Sequence, residues 1–210
     1  MAKPLIYYVR HGETDWNRAG RLQGSRDTSL NACGREQAIR CGEILRTLFA
    51  RSGENPAALD YVASPLRRAR ETMEGMRAAL GLTPPTYRVD PRLAEMAFGD
   101  WEGLTLAEVA MRDPDAFAAR ERDKWAFVPP NGESYRQLSV RVGEWYASLR
   151  RDCVVAAHGG TARALMVHLG IALLSTAPPL SIEQGVVYVL EPGNMEVFAA
   201  PVAAQADAAM

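Results

Sequence analysis

The stretch Cys153-Val-Val-Ala-Ala157-His158-Gly159-Gly160 decides the architecture, and it has a twin near the amino terminus, Leu5-Ile-Tyr-Tyr-Val9-Arg10-His11-Gly12. Each is a short apolar run that breaks into a histidine followed by glycine. Runs of this length without polar alternation suit strands buried on both faces, as in a parallel sheet. Tyr61–Ala63 and Val186–Leu190 read the same way. Residues directly after such strands are delivered to the carboxyl edge of the sheet, where open α/β folds bind ligands. Two imidazoles far apart in the chain are therefore expected to be near neighbours, face to face across a common oxyanion.

Working outward, helical patterns lie between the runs. From Ala38 the set Cys41, Ile44, Leu45, Leu48 and Phe49 repeats at three- and four-residue steps until Gly53. Ser64-Pro65 offers a cap and a first-turn proline, and behind it Leu66, Ala69, Met73, Met76 and Leu80 form one stripe ended by Gly81. Thr105 to Glu108 and Ser134 to Gln137 both spell capping boxes. The second opens a helix with Leu138, Val142, Trp145 and Leu149 on one side. Strands alternating with helices predict a layered α/β domain. The segment from Arg92 to Pro130 is polar, shows one obvious short helix, and is long for a connection, which predicts an excursion covering something. One domain is expected over residues 1–200, with a flexible, alanine-rich tail over 201–210 and fraying from Ala199.

The chain has 210 residues, 48% hydrophobic and 23% charged, with a formal net charge of −1. That length buries a substantial core without disulfides or metals. Near neutrality argues against a broad basic face for nucleic acid. Only Lys3 and Lys124 among the 24 basic residues are lysine; the rest are arginine, the side chain suited to phosphate and carboxylate. Cys33, Cys41 and Cys153 form no CxxC pair and fit a reducing compartment. The apolar run at the amino terminus is too short for a signal-peptide core, and none approaches the ~20 residues of a membrane span. A cytoplasmic protein without membrane contact is expected, and a homo-oligomer is compatible with the sequence.

His11 is preceded by Arg10, and His158 is followed by a helix start whose N–H groups attract anions. A third strand end leads to Arg67, Arg68 and Arg70, all outside the apolar arc of their helix. Together these predict a pocket of positive charge with few counter-charges, which is a phosphate site. No HxH, HExxH or cysteine–histidine cluster speaks for a metal, and no cofactor is expected. His168, inside an apolar helix with no glycine beside it, reads as a packing histidine. Trp16 and Trp101 read as packing residues too. Glu13, Asp15, Glu95, Asp100 and Glu102 are equally plausible carboxylates on spacing alone.

Arg10-His-Gly-Glu-Thr-Asp-Trp-Asn17 resembles the signature of the histidine phosphatase superfamily, the phosphoglycerate mutase-like branch. The resemblance continues through Leu22-Gln-Gly24, Gly34 and Gln37-Ala38, Ser64-Pro-Leu-Arg-Arg-Ala69, and Leu93-Ala-Glu95. It then takes in Phe98-Gly-Asp-Trp-Glu-Gly103, Asn131-Gly-Glu-Ser134 and His158-Gly-Gly160, in the expected order. It implies a three-layer α/β/α sandwich around a mostly parallel sheet with one antiparallel strand, and the Arg92–Pro130 excursion roofing the site. It implies His11 as nucleophile, becoming phosphohistidine, with Arg10, Arg68 and His158 on the transferred phosphoryl oxygens and Glu95 as general acid and base. Asn17, Gln23, Gly24 and Gly159 would bind substrate, with Glu13 in support and Glu133-Ser134 a further candidate contact.

The implied substrate is a small phosphorylated metabolite, and the implied reaction is phosphomonoester hydrolysis without metal. The alternative within the family is a 2,3-bisphosphoglycerate-dependent phosphoglycerate mutase, whose longer insertion carries a Trp-Arg-Arg-Ser-Tyr-type stretch. Here that region reads Phe117-Ala-Ala-Arg-Glu-Arg-Asp-Lys-Trp125, with cations but without the motif. The Asn131–Ser134 segment also resembles the small phosphatases. A non-catalytic phosphate-binding module would have lost the nucleophile or the acid, and this chain keeps both.

Overall fold

The computed structural model describes residues 4–200. Along the chain run β1 (Ile6–Arg10), α1 (Asp15–Arg18), α2 (Ala32–Ser52), β2 (Asp60–Ala63), α3 (Arg67–Ala79), β3 (Arg88–Val89), α4 (Leu106–Arg112), α5 (Pro114–Arg122), α6 (Tyr135–Ser148), β4 (Cys153–Ala157), α7 (Gly159–His168), β5 (Val186–Glu191) and β6 (Asn194–Ala199). The six strands form one sheet in the order β3-β2-β4-β1-β5-β6. β1, β2, β3 and β4 pair in parallel, and β5 runs against both of its neighbours. It is the one reversed strand, as expected.

Side chains alternate between the faces of a strand, and here both faces are covered. Ile6, Tyr8, Cys153, Val155 and Ala157 pack against Leu138, Val142 and Trp145 of α6 and Leu165 and Met166 of α7. Tyr7, Val9, Val154 and Ala156 pack against Cys41, Leu45 and Phe49 of α2 and Met73 and Met76 of α3. This is why the central runs carry no polar alternation. Among the described residues no helix is long and apolar enough to cross a membrane.

Five local expectations are corrected. α2 starts at Ala32, capped by the Asn31 side chain, ahead of the apolar stripe that revealed it. α3 starts at Arg67 after Leu66, so Ser64 and Pro65 are not its cap and first turn; the Ser64 hydroxyl is engaged elsewhere. The excursion carries two helices rather than one. α5 buries none of its residues, so no stripe announced it. His168 is exposed, its ring against Ser139 at the surface of α6, so it is not a packing histidine. Ala199 closes β6 opposite Val186 instead of opening a tail, and the expected tail over 201–210 lies outside the described residues.

Candidate active site

β1 and β4 are neighbours in register, Arg10 opposite Ala157, so the residues that follow them leave the sheet side by side. The His11 N–H donates to the Ala157 carbonyl at 2.8 Å. The buried Tyr8 hydroxyl bonds both the backbone of His158 and the Thr161 hydroxyl, pinning the start of α7 to β1. The ring centroids of His11 and His158 stand 5.1 Å apart with planes tilted by 59°. They are neighbours, though tilted rather than face to face.

Both nitrogens of His11 have a protein partner, whereas His158 has one engaged and one without a partner. His11 Nδ1 lies 2.8 Å from the Gly12 carbonyl, which only accepts, so Nδ1 carries the proton. Arg68 Nε, which only donates, lies 3.2 Å from His11 Nε2. Nε2 is therefore the unprotonated, nucleophilic nitrogen. His158 Nε2 lies 2.7 Å from the Ser64 hydroxyl, while its buried Nδ1 has no partner. With Ser64 donating to Nε2, the Nδ1–H is a donor held for an anion. Both histidines are depressed well below the ordinary range, first by burial and then by Arg68, with Arg10 contributing to both and His11 to His158. Both rings are neutral at physiological pH.

The cations around them are almost out of water. Arg68 is fully buried, and its terminal nitrogens donate to the Arg26 and Gly24 carbonyls at 2.7 and 2.9 Å. No carboxylate lies within ion-pair distance of it among the described residues, and burial pushes its guanidinium down to about 10, still charged. Arg67 and Arg70, equally free on the helical wheel, face solvent against Glu71 and Tyr87. Arg10 donates through Nη1 to the Ile182 carbonyl at 2.7 Å, and its buried Nε has no partner.

Asn17 and Gln23 are oriented by what holds their oxygens. Asn17 Oδ1 accepts from Thr14 and Gln184, and Gln23 Oε1 from the Thr14 and Thr28 hydroxyls. Both amide NH2 groups are left for the cavity these residues line. Gly24 has a positive φ of 53°, and a Cβ there would collide with Glu102 and the Phe98 backbone.

Glu95 comes from the excursion. Its carboxylate accepts from the Met96 N–H at 2.9 Å and the Gly160 N–H at 3.1 Å; a Cβ on Gly160 would strike it. It makes no ion pair among the described residues. Its backbone is held from behind by Arg141, which donates to the carbonyls of Arg92, Ala94 and Glu95 and pairs with both oxygens of Glu133.

Arg10, His11, Asn17, Gln23, Gly24, Arg68, Glu95 and Gly159 thus line one cavity of about 170 Å³, together with Arg21, Leu22, Phe98 and Arg163. Other candidates stand apart. Asp15 pairs with Arg18 and Asp100 takes Asn131, both in solvent. Glu13 holds Asn31 at the start of α2. Glu102 ties down Ser25 and the Phe98 N–H. Ser134 caps α6, and Glu133 serves Arg141. Trp101 is buried and stacks on Phe127, while Trp16 is half-buried. Sequence reasoning missed Ser64 as the partner of His158, Arg141 as the brace behind Glu95, and Arg163 on the cavity wall. Only Ser64 carried a signal, a serine directly after a buried strand.

Chemically, this arrangement offers a neutral nucleophile, converging donors with few counter-charges, and one unpaired carboxylate above them. Residues 6–199 match the family model of the histidine phosphatase superfamily (branch 1). A glucosyl-3-phosphoglycerate phosphatase of Mycobacterium tuberculosis is 38% identical over 80% of this chain and 76% of its own. A metal-independent phosphoserine phosphatase of Arabidopsis thaliana is 33% identical over 83% and 71%. A 2,3-bisphosphoglycerate-dependent phosphoglycerate mutase of Cytophaga hutchinsonii is 31% identical over 79% and 77%. The solved mycobacterial glucosyl-3-phosphoglycerate phosphatase superposes with a TM-score of 0.73 at 32% identity, covering 89% of each chain.

Proposed function

The chain belongs to the histidine phosphatase superfamily, and on that premise we propose that it hydrolyses phosphomonoesters of a small metabolite through a phosphohistidine at His11. The observation that carries this reading is the His11 ring, its Nδ1 proton given to the Gly12 carbonyl and its Nε2 bare beside Arg68. A covalent intermediate divides one difficult step into two easier ones. Nε2 attacks phosphorus while the ester oxygen leaves, and the phosphoryl group passes through a loose transition state with its charge on the equatorial oxygens. Arg10 and Arg68 meet that charge from the cavity wall, and the buried His158 supplies its Nδ1–H beside His11. The Asn17 and Gln23 amides add donors at the rim.

Glu95 gives a proton to the leaving alkoxide and then takes one from the water that attacks phosphohistidine, so a single carboxyl serves both halves. Its lack of an ion pair among the described residues supports that double duty. Transfer to water rather than back to a sugar acid is supported by the phosphatases among the relatives and by the absence of the mutase-type stretch between Phe117 and Trp125. The catalytic unit is one domain over residues 1–200, and its three free thiols suit a reducing cytoplasm.

The test is turnover of p-nitrophenyl phosphate in the presence of chelator. Activity that disappears in His11→Ala, with the variant folded by circular dichroism, is the expected result. Isomerisation of 3-phosphoglycerate without phosphate release would make the chain a mutase, and retained phosphate binding with no turnover would make it a binding module.

A further inference from the structure

Four arginines line the cavity, and one has no assignment. Arg10 and Arg68 meet the transferred phosphoryl group, and Arg21 pairs with Glu108 at 3.1 Å. Arg163, from the second turn of α7, has no carboxylate within ion-pair distance among the described residues. Its Nε donates to the Leu180 carbonyl at 2.8 Å and its Nη1 to the Tyr135 hydroxyl at 3.2 Å. Nη2 has no hydrogen-bond partner among the described residues. Both anchors are neutral and both are fixed. Tyr135 is buried and stacked on Trp125, with centroids 5.7 Å apart. The guanidinium is therefore locked in place with its charge uncancelled.

It also stands beside another cation. At Gly159, the place a Cβ would occupy lies 3.3 Å from Arg163 Nη1 and 3.8 Å from Arg10 Nε, the buried nitrogen that has no partner. Burial, and with it the neighbouring Arg163, disfavours the charge on Arg10, and the start of α7 adds its own positive end. Glu95 alone offsets this on the cavity wall. A phosphoryl dianion neutralises the pair it touches, Arg10 and Arg68, and leaves Arg163 on the cavity wall with its charge and its Nη2 donors uncommitted. A fixed guanidinium of this kind is complementary to a carboxylate.

We propose that Arg163 binds a carboxylate on the substrate, so that the preferred substrates are phosphorylated hydroxy or amino acids rather than uncharged phospho-alcohols. The inference rests on the hydrolase reading above and names the substrate class for that same cavity. Arg163 is a specificity-determining residue, and Tyr135 and the Leu180 carbonyl position it.

The experiment compares two esters that differ only at the far carbon, 3-phosphoglycerate and glycerol 3-phosphate, on the intact protein and on Arg163→Met and Arg163→Lys. The readout is the ratio of their kcat/KM values. The intact protein favours 3-phosphoglycerate by about tenfold or more, as a charged contact of this kind supplies. Arg163→Met brings the ratio to near one, mainly through the KM for 3-phosphoglycerate, and Arg163→Lys falls between. A ratio near one in the intact protein, or a ratio unchanged by Arg163→Met, overturns the proposal. Should the chain turn over neither ester, the hydrolase reading is what has failed. The same ratio taken from calorimetric dissociation constants then decides the carboxylate contact by itself.

Discussion

The sheet edge at β1 and β4 and the excursion above it handle charge in opposite ways. At the edge, the buried Arg68 and the half-buried Arg10 donate to carbonyls with no carboxylate partner among the described residues, and donors such as Arg10 Nε and His158 Nδ1 are left unpaired. In the excursion and the segments braced to it, several cations are matched: Arg92 to Asp90, Arg120 to Glu121 and Arg141 to Glu133. There the group turned to the cavity is a carboxylate, Glu95, held by two backbone N–H groups and without an ion pair among the described residues. An unpaired buried polar group costs stability, so a fold keeps such groups where a ligand completes them. The edge is incomplete without an anion, and the excursion is complete without one except for a single proton-carrying group. Charge stabilisation thus belongs to rigid strand ends, and proton transfer to a loop held by one arginine.

This contrast can be broken at its strongest point first. His11→Ala removes the covalent route, and turnover should fall by about a thousandfold or more, read as initial rates on an aryl phosphate. Wild-type rates in that variant would dismantle the division of labour. Next, Glu95→Gln should lower hydrolysis of an alkyl phosphate by about a hundredfold or more. It should lower p-nitrophenyl phosphate much less in the phosphorylation step, because that leaving group needs no proton. Equal losses on both substrates in that step would mean that Glu95 works by position or charge instead.

Smaller effects sharpen the picture. Ser64→Ala frees the His158 ring to take the other tautomer, and kcat should fall by about tenfold with the melting temperature little changed. Glu133→Gln loosens Arg141 behind the Glu95 backbone. A fall in kcat of a few fold should follow, confined to alkyl phosphates if the brace acts through Glu95.

The buried histidines also make a stability prediction with a definite sign. Their folded values lie below the unfolded value of about 6.5, so above that pH neither state is protonated and their contribution is whole. As pH falls below it, the unfolded chain takes up protons that the folded one refuses, and stability drops. Melting temperatures between pH 7.5 and 5.5 should decline, and saturating inorganic phosphate should shrink the decline, since a bound anion favours the charged rings. A decline of the same size with phosphate present would count against an anion lying between the two imidazoles.

The strand ends were legible because burial on both faces erases polar alternation, and because a histidine–glycine break after such a run has few other uses. The layered fold followed from the same signal. Glu95 was not legible from spacing alone. Its role rests on Gly160 and the Arg141 brace, contacts between segments that no local pattern records, and only the family resemblance singled it out. Arg68 was inseparable from Arg67 and Arg70 on a helical wheel, because its burial is imposed by the Gly24–Arg26 loop folding over it. Ser64 was misread as a helix cap, since a serine before proline spells that motif and its real partner lies in a strand end far along the chain. α5 was missed because a helix with no buried face leaves no periodicity to read.

The central claim is tested most directly by trapping the intermediate. Brief reaction with a phosphate-labelled aryl ester, alkaline quenching and peptide mass spectrometry should place an acid-labile, alkali-stable phosphoryl group on His11. Label on His158, or none on either histidine during active turnover, would contradict the account.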